Sequence, residues 1–228
     1  MMELAEGPKR KLLDAALRVI RMQGYAGSSV DDICREAGVT KGSFFHHFKG
    51  KDELAVAATE HWTGVTGNLF EGAPFRQVAD PRERVLAYID FRSSLIQGDL
   101  PDFTCLLGTM VQETYSTHPD IRDACNRAIL FHARTVAADL AEAKRLYAPK
   151  AKWDPLDVAL FAQAALQGAF ILAKAQHDPA AARRAIAHLH EYVATLLPAP
   201  TSSTTSNRTT STKSRSRPSP AAIRRRHA

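Results

Sequence analysis

Residues 24–54 read GYAGSSVDDICREAGVTKGSFFHHFKGKDEL, and this stretch determines the fold class. Ser28 is a good N-cap for a helix that ends at Gly38. A second helix begins at Thr40, so that the turn between the two helices is residues 37–39. Gly38 supplies the positive φ that so sharp a turn requires. The spacing predicts a helix-turn-helix, the motif whose second helix enters the major groove of DNA.

The second helix of this motif, the recognition helix, begins with residues suited to the surface of DNA. Small side chains in its first turn let the backbone approach a duplex, and the exposed N–H groups there face phosphates. Phe44 and Phe48, four residues apart, form the inward face of the helix. The residues that remain for DNA are Thr40, Lys41, Gly42, Ser43, His46, His47 and Lys49, with Lys51 opening the next helix near the same phosphates.

Helix signals continue on both sides of this motif. Apolar residues recur at helical spacing over residues 8–23, and Gly24 ends that helix. Asp80, Asp154 and Asp178 each precede a proline, which places an N-cap carboxylate before a proline at the first helical position. These signals predict an all-α fold of nine helices, at about 8–23, 28–37, 40–47, 51 to beyond 62, 81–97, 103–116, 119–147, 155–176 and 179–197.

Charge and composition divide the chain into three parts. Residues 1–50 hold eight basic and six acidic residues, whereas residues 51–200 hold fifteen basic and eighteen acidic ones. Residues 201–228 hold seven basic residues and no acid, and Ser, Thr and Arg dominate them. Such a segment buries too little apolar surface to order itself, so we predict a disordered basic tail. The sequence thus predicts a helix-turn-helix domain over 1–50, a larger helical domain over 51–200 and the tail.

The sequence lacks the motifs that mark several other classes of protein. There is no glycine-rich phosphate loop, no GxSxG, no metal-ligand cluster and no convincing carboxylate pair, so we expect no catalytic residue, metal or cofactor. Cys34, Cys105 and Cys125 are an odd number at wide spacings, which fits neither a disulfide framework nor a metal site. No apolar run reaches the roughly 18 residues of a membrane helix, and no signal peptide follows the charged start. We expect a cytoplasmic protein that does not contact a membrane.

The 24–54 stretch closely resembles the N-terminal signature of the TetR family of transcriptional regulators, with glycines, aromatics and charges in register. The resemblance implies a three-helix DNA-binding domain, a larger ligand-binding and dimerisation domain, and a homodimer that binds a double-stranded DNA operator. It implies that a small-molecule effector releases the DNA. The expected DNA contacts are Ser28, Ser29, Thr40, Lys41, Gly42, Ser43, Phe45, His46, His47, Lys49 and Lys51.

Phe45 departs from the family pattern, because the family usually has a tyrosine whose hydroxyl reaches a phosphate. The phenylalanine ring leaves a contact with a sugar or a thymine methyl group in its place.

The larger domain resembles the family in outline only. Small residues crowd the last two helices, and by resemblance these helices form a four-helix bundle across a two-fold axis; burial within one subunit is the alternative. Residues 105–113 read CLLGTMVQE, similar to a stretch in some family members that respond to electrophiles such as N-ethylmaleimide. For Cys105, core packing, lining of a pocket and sensing of electrophiles all remain open.

Polar side chains on otherwise apolar helices predict a small-molecule pocket in this domain, because such pockets combine an apolar wall with a few hydrogen-bonding groups. The expected lining residues are Phe103, Cys105, Met110, Gln112, Glu113, Tyr115, Phe131, His132, Phe161, Gln167 and Phe170.

Two other functions stay open alongside a ligand-responsive repressor. The basic tail also fits an architectural nucleic-acid-binding protein that tolerates many sequences and ignores small molecules. An activator or a ligand-independent regulator of the same family has the same sequence features as a repressor.

The tail generates the first testable prediction. Its 28 residues, as a flexible chain, have a reach of roughly 30 Å, enough to contact the phosphates beside a bound operator. Each phosphate neutralised adds about 0.9 to the magnitude of the log–log salt slope of DNA binding. Deleting residues 201–228 is therefore expected to flatten that slope without changing the ranking of operator sequences. Filter-binding titrations over a range of salt measure both quantities, and identical slopes would show that the tail is only a solubilising appendage.

Overall fold

The computed structural model describes residues 7–199, and these residues form an all-α fold with no strand among them. The ten α-helices of this part of the chain are α1 (Pro8–Gln23), α2 (Val30–Ala37), α3 (Lys41–His47), α4 (Lys51–Glu71), α5 (Pro81–Ser94), α6 (Leu100–Phe103), α7 (Leu106–Thr114), α8 (Pro119–Tyr147), α9 (Pro155–Gln176) and α10 (Pro179–Leu196). A short 3₁₀ helix, Pro74–Gln77, lies between α4 and α5. The predicted all-α class is confirmed; the predicted tail lies outside the described residues.

The predicted count of nine helices is one short, because α6 is separate from α7. The Asp99 side chain and Asp102 form a capping box that starts α6, and Thr104 then returns to extended backbone with φ −78° and ψ 157°. Cys105 is also extended and serves as the N-cap of α7. The helix predicted at about 103–116 thus begins later, at Leu106, and α6 before it is the helix that the prediction lacks.

The start of α2 differs by one residue from the prediction that Ser28 is its N-cap. Ser29 is the N-cap: its hydroxyl accepts from the Asp32 amide at 3.1 Å, and the Asp32 carboxylate accepts from the Ser29 amide at 3.1 Å. Ser28 is buried, and its hydroxyl donates to the Gly24 carbonyl. Ser28 therefore holds the turn after α1, while Ser29 begins α2.

Two hydrophobic cores organise the described residues. The first joins α1, α2, α3 and the start of α4, and it includes Leu106 and Met110 of α7 and Ile121 of α8. The second joins α5, α8, α9 and α10 around residues such as Leu140 and Ile186. Because α7 and the start of α8 contribute to the first core, α1 packs directly on the larger part of the molecule.

Helix α9 is the one described helix that is long and apolar enough to cross a membrane, judged by length and composition alone. In this fold α9 packs between α8 and α10, and Leu166, Ala169 and Ala173 are buried in the second core. Ile171 and Leu172 lie on its other side and are exposed. The apolar residues of α9 thus form two faces, one buried in the core and one exposed at the surface.

A cluster of charged side chains joins α5 and the 3₁₀ helix to α8. The Asp139 carboxylate accepts from Arg76 at 2.7 Å and from Arg84 at 3.1 Å, and Arg84 also donates to Glu142. The side chains of Arg76, Arg84 and Asp139 are each at most one-fifth exposed. Removing one partner of such a cluster leaves the opposite charge poorly solvated, which costs more than the loss of an exposed ion pair.

We therefore expect Asp139→Ala to lower the free energy of unfolding by roughly 2 kcal/mol, less than for a fully buried ion pair. Asp123→Ala is the matched control, because Asp123 lies on the same helix and pairs with Arg122 at the exposed surface. This control is expected to cause no measurable change. Urea unfolding of both variants at one protein concentration measures the difference, and equal stabilities would contradict the assignment.

Candidate DNA-binding surface and effector cavity

Helices α2 and α3 have the geometry that the sequence predicts for a helix-turn-helix. Gly38 follows α2 with φ 63° and ψ 35°, so the predicted positive φ is present at that residue. The Thr40 hydroxyl caps α3 by accepting from the Ser43 amide at 3.2 Å. Phe44 and Phe48 are buried and fix α3 on its neighbours. The opposite face of α3 is left free for a partner.

The outward face of α3 is open and partly apolar. Lys41, Gly42 and His46 are exposed, and the Phe45 ring is 56% exposed. A methyl group built on Gly42 would meet only the Thr40 hydroxyl, at 3.7 Å, so the backbone there is accessible to a flat surface. This face fits the major groove, with close backbone approach at Gly42 and an apolar contact at Phe45.

Several cations border this face. The Lys41 ammonium group lies 2.8 Å from the Asp31 carboxylate in an exposed ion pair. The Lys49 backbone amide donates to Glu53 at 2.8 Å, while its side chain is exposed. The Lys9 ammonium group lies 5.8 Å from the centre of the Phe48 ring, which brings the start of α1 next to the end of α3. Lys9 is not among the predicted contacts, although the basic first turn of α1 is visible in the sequence.

Two predicted DNA contacts face inward in the structure. The Lys51 ammonium group donates to the carbonyls of Tyr25 and Ser28, both at 2.9 Å, and lies 4.2 Å from the centre of the Tyr25 ring. It therefore ties α4 to the turn between α1 and α2. Ser28 is buried beside the same turn. The sequence could not show this, because both residue types are common at DNA-facing positions and only tertiary packing orients them.

A cavity of about 190 Å³ lies within the larger part of the molecule, among α4, α5, α6, α7, α8 and α9. Six of the eleven residues predicted to line a pocket lie in its wall: Phe103, Cys105, Phe131, His132, Gln167 and Phe170. The sequence prediction missed Trp62, Phe70, Arg92 and Gln163, which also line it. Trp62, Thr66 and Phe70 recur every four residues on α4, and that spacing was a signal for one lining face.

The other five predicted lining residues lie elsewhere. Met110 is fully buried in the first core, because α7 packs against α1. Gln112 and Glu113 line a neighbouring cleft that includes Lys174. Tyr115 is 62% exposed, and Phe161 is exposed on the outer side of α9.

His132 is a neutral polar group in the cavity wall. Burial, together with the nearby positive charges of Arg92 and Arg76, lowers the pKa of His132 to about 3. Its Nε2 atom lies 2.8 Å from the Tyr88 hydroxyl, and burial raises the pKa of Tyr88. Both rings are therefore uncharged at neutral pH.

The cavity wall is in direct contact with α1, the helix that precedes the helix-turn-helix. Arg21 of α1 donates to the Asp102 carbonyl at 3.0 Å, and its guanidinium group lies 5.1 Å from the centre of the Trp62 ring. Asp102 and Trp62 both line the cavity. Lys174 of α9 donates to the Arg21 carbonyl at 3.3 Å, and Glu113 of α7 accepts from the Ala26 amide at 2.7 Å. A displacement of the wall therefore acts on α1 and on the turn that follows it.

An exposed recognition helix on a three-helix unit, docked on a larger helical unit with a cavity, defines the class of helix-turn-helix transcriptional regulators. Comparison with protein families agrees. Residues 12–58 match the model for bacterial regulatory proteins of the tetR family, and residues 81–189 match the model for the tetracyclin repressor-like C-terminal domain. The chain belongs to the TetR family of transcriptional regulators, as the sequence predicts, and is not an enzyme.

Individual relatives support the same assignment. The chain is 29% identical over 186 residues to the HTH-type transcriptional regulator BetI of Brucella canis. The aligned residues make up 82% of this chain and 89% of that protein. The reduced form of Escherichia coli NemR has a similar fold, with a TM-score of 0.72 and 21% identity over 85% of this chain and 98% of that one. The regulatory protein TetR of Rhodobacter sphaeroides gives a TM-score of 0.69 and 23% identity over 80% and 97%.

The contrast between two lysines gives a direct test of the DNA-binding surface. Lys41→Ala is expected to weaken operator binding by about 1–3 kcal/mol if Lys41 contacts a base edge, with relaxed preference at that base. The stability of this variant should not change, because the Lys41–Asp31 pair is exposed. Lys51→Ala is expected to lower the free energy of unfolding by about 1–2 kcal/mol, because two carbonyls lose a charged donor.

Fluorescence anisotropy with a DNA site selected from a random pool measures the first effect, and urea unfolding measures the second. An equal loss of affinity on all DNA sequences would assign Lys41 to a phosphate. Unaltered affinity for every sequence would remove Lys41 from the interface, and unaltered stability of Lys51→Ala would contradict its structural assignment.

Proposed function

We propose that this protein is a ligand-responsive repressor of the cytoplasm, which binds a palindromic operator as a homodimer and leaves it when a small molecule occupies the cavity. The observation that carries the proposal is the contact of Arg21 with two elements of the cavity wall, Trp62 and the backbone of α6. That contact gives the cavity a route to the orientation of the DNA-binding helices.

The proposed DNA contacts are the predicted residues that the fold leaves accessible. They are Ser29, Thr40, Lys41, Gly42, Ser43, Phe45, His46, His47 and Lys49, with Lys9 added. Ser28 and Lys51 are left out, because they hold the turn after α1. In this set the cations and the capped N-terminus of α3 position the protein on phosphates, and Lys41 and Phe45 read the base edges.

The proposed subunit interface is the outer face of α9 and α10. Phe161, Ile171 and Leu172 of α9 are exposed there, and Tyr192 of α10 packs on Phe161 with ring centres 4.9 Å apart. Contiguous apolar side chains on a surface favour association with another protein surface. Pairing of α9 and α10 with their copies across a two-fold axis supplies the four-helix bundle that the family resemblance implies.

The proposed mechanism uses α4 as the lever. Its first turn lies against the helix-turn-helix through Lys51, and its second half lines the cavity through Trp62 and Phe70. A ligand that displaces these rings shifts α4 and the Arg21 contact together. The recognition helices of a dimer match a palindrome only when they are about 34 Å apart or near a multiple of it, so a small shift weakens both half-sites.

The test has a DNA step and a ligand step. Selection from a random DNA pool is expected to enrich a palindrome; no enrichment would favour the architectural alternative. Compounds that bind the cavity are then found by quenching of Trp62 fluorescence in a Trp153→Phe background, since these are the two tryptophans of the chain. A saturating compound is expected to weaken operator binding about 5–150-fold, and saturating operator should weaken compound binding by the same factor. Unchanged compound affinity on the operator would reject the ligand response and leave DNA binding intact.

A further inference from the structure

The cavity contains one positive charge that the protein does not neutralise. Its lining includes one arginine, Arg92, and one carboxylate, Asp102. The Asp102 carboxylate is paired with Arg18 at 3.2 Å. In residues 7–199 no carboxylate oxygen lies within 4.0 Å of the Arg92 guanidinium group. The wall therefore has an excess of one cation.

The neighbours of Arg92 leave its charge in place. The guanidinium group lies 5.2 Å from the centre of the Phe70 ring, and Tyr88 and His132 are its polar neighbours. The Tyr88 hydroxyl and His132 are hydrogen-bonded to each other, and both side chains are neutral at physiological pH. A guanidinium group has five N–H donors, and a carboxylate is the acceptor that matches two of them at once.

Other arginines of the larger part of the molecule do have carboxylate partners. Arg76 and Arg84, in the charged cluster between α5 and α8, are paired with Asp139 and Glu142. Arg92 thus differs from them both in its lack of a carboxylate and in its access to an empty volume. This contrast points to Arg92 as a cation whose partner would be an anion bound in the cavity.

The remainder of the wall is mostly apolar, with several aromatic rings. Trp62, Phe70, Phe103, Phe131 and Phe170 surround the cavity, and the amides of Gln163 and Gln167 add hydrogen-bonding groups. A cavity of about 150 Å³ lined by apolar side chains binds benzene. The 190 Å³ found here therefore fits one aromatic ring with a short side chain.

We propose that the cavity binds a small aromatic carboxylate, with the acid group on Arg92 and the ring among the aromatic side chains. This deepens the proposed function by naming its effector class and rests on that function only for the release of DNA. Neutral analogues bind less well because they leave the guanidinium charge desolvated and unpaired.

The test uses three acids and their amides as probes: benzoate, phenylacetate and 3-phenylpropanoate against benzamide, phenylacetamide and 3-phenylpropanamide. Quenching of Trp62 fluorescence in the full-length Trp153→Phe protein reports binding, since Trp62 lines the cavity. At least one acid is expected to bind at millimolar concentration or below, about 10-fold to 100-fold more tightly than its amide.

Arg92→Met is expected to remove this preference, so that the acid falls to the affinity of its amide. Arg92→Lys should retain part of it, because lysine keeps the charge without the planar pair of donors. Arg134→Met is the matched control: Arg134 is an exposed arginine on α8 that does not line the cavity, and its loss should change nothing. Circular dichroism establishes folding, and if Arg92→Met does not fold, Arg92→Gln takes its place.

Three results overturn the proposal: no acid quenches Trp62, an amide binds as tightly as its acid, or the folded Arg92 variant keeps the preference. The operator experiment is read separately. An acid that binds through Arg92 but leaves operator affinity unchanged supports the ligand class and rejects the proposed ligand response. Release of DNA by neutral compounds alone supports the proposed ligand response and rejects the aromatic carboxylate as the ligand class.

Discussion

Arg21 holds the DNA-binding helices at a fixed angle to the rest of the molecule. Its backbone lies in α1, its guanidinium group packs over Trp62 of α4, and its N–H groups donate to the carbonyls of Asp102 and Thr104 beside α6. Burial lowers the pKa of Arg21, with Asp102 acting in the opposite sense. Three segments distant in sequence meet at one planar cation, so a change in any of them is transmitted to the other two.

Charged groups in the larger part of the molecule differ in their partners: those between α5 and α8 are paired with each other, whereas Arg92 at the cavity has no carboxylate partner among the described residues. Asp139 neutralises Arg76 and Arg84 between α5 and α8. His132, at the cavity, avoids charge altogether, because protonation would cost desolvation next to Arg92. The electrostatics of the cavity are therefore set before any ligand arrives.

The sequence predicted most of the fold because the relevant signals are local. Gly38 and the Thr40 cap define the helix-turn-helix within a few residues, and the Asp154 carboxylate caps α9 through the Leu156 amide at 2.8 Å. The lining of the cavity was harder to predict, because six helices contribute to it. Periodicity shows that α7 has an apolar face, but it does not show that Met110 meets α1 instead of a ligand. Lys51 illustrates the same limit, since its acceptors belong to another segment of the chain.

The Lys41–Asp31 pair has a consequence for the thermodynamics of any complex with DNA. Lys41 does not start as a free cation, because its ammonium group lies 2.8 Å from a carboxylate. In the proposed complex Lys41 moves to a phosphate or a base, and Asp31 then returns to solvent and attracts a cation of its own. Part of the counterion release from DNA is thus offset by cation uptake on the protein. At this position DNA binding is an exchange of ionic partners, and its entropic gain is smaller than the number of lysines on the surface would suggest.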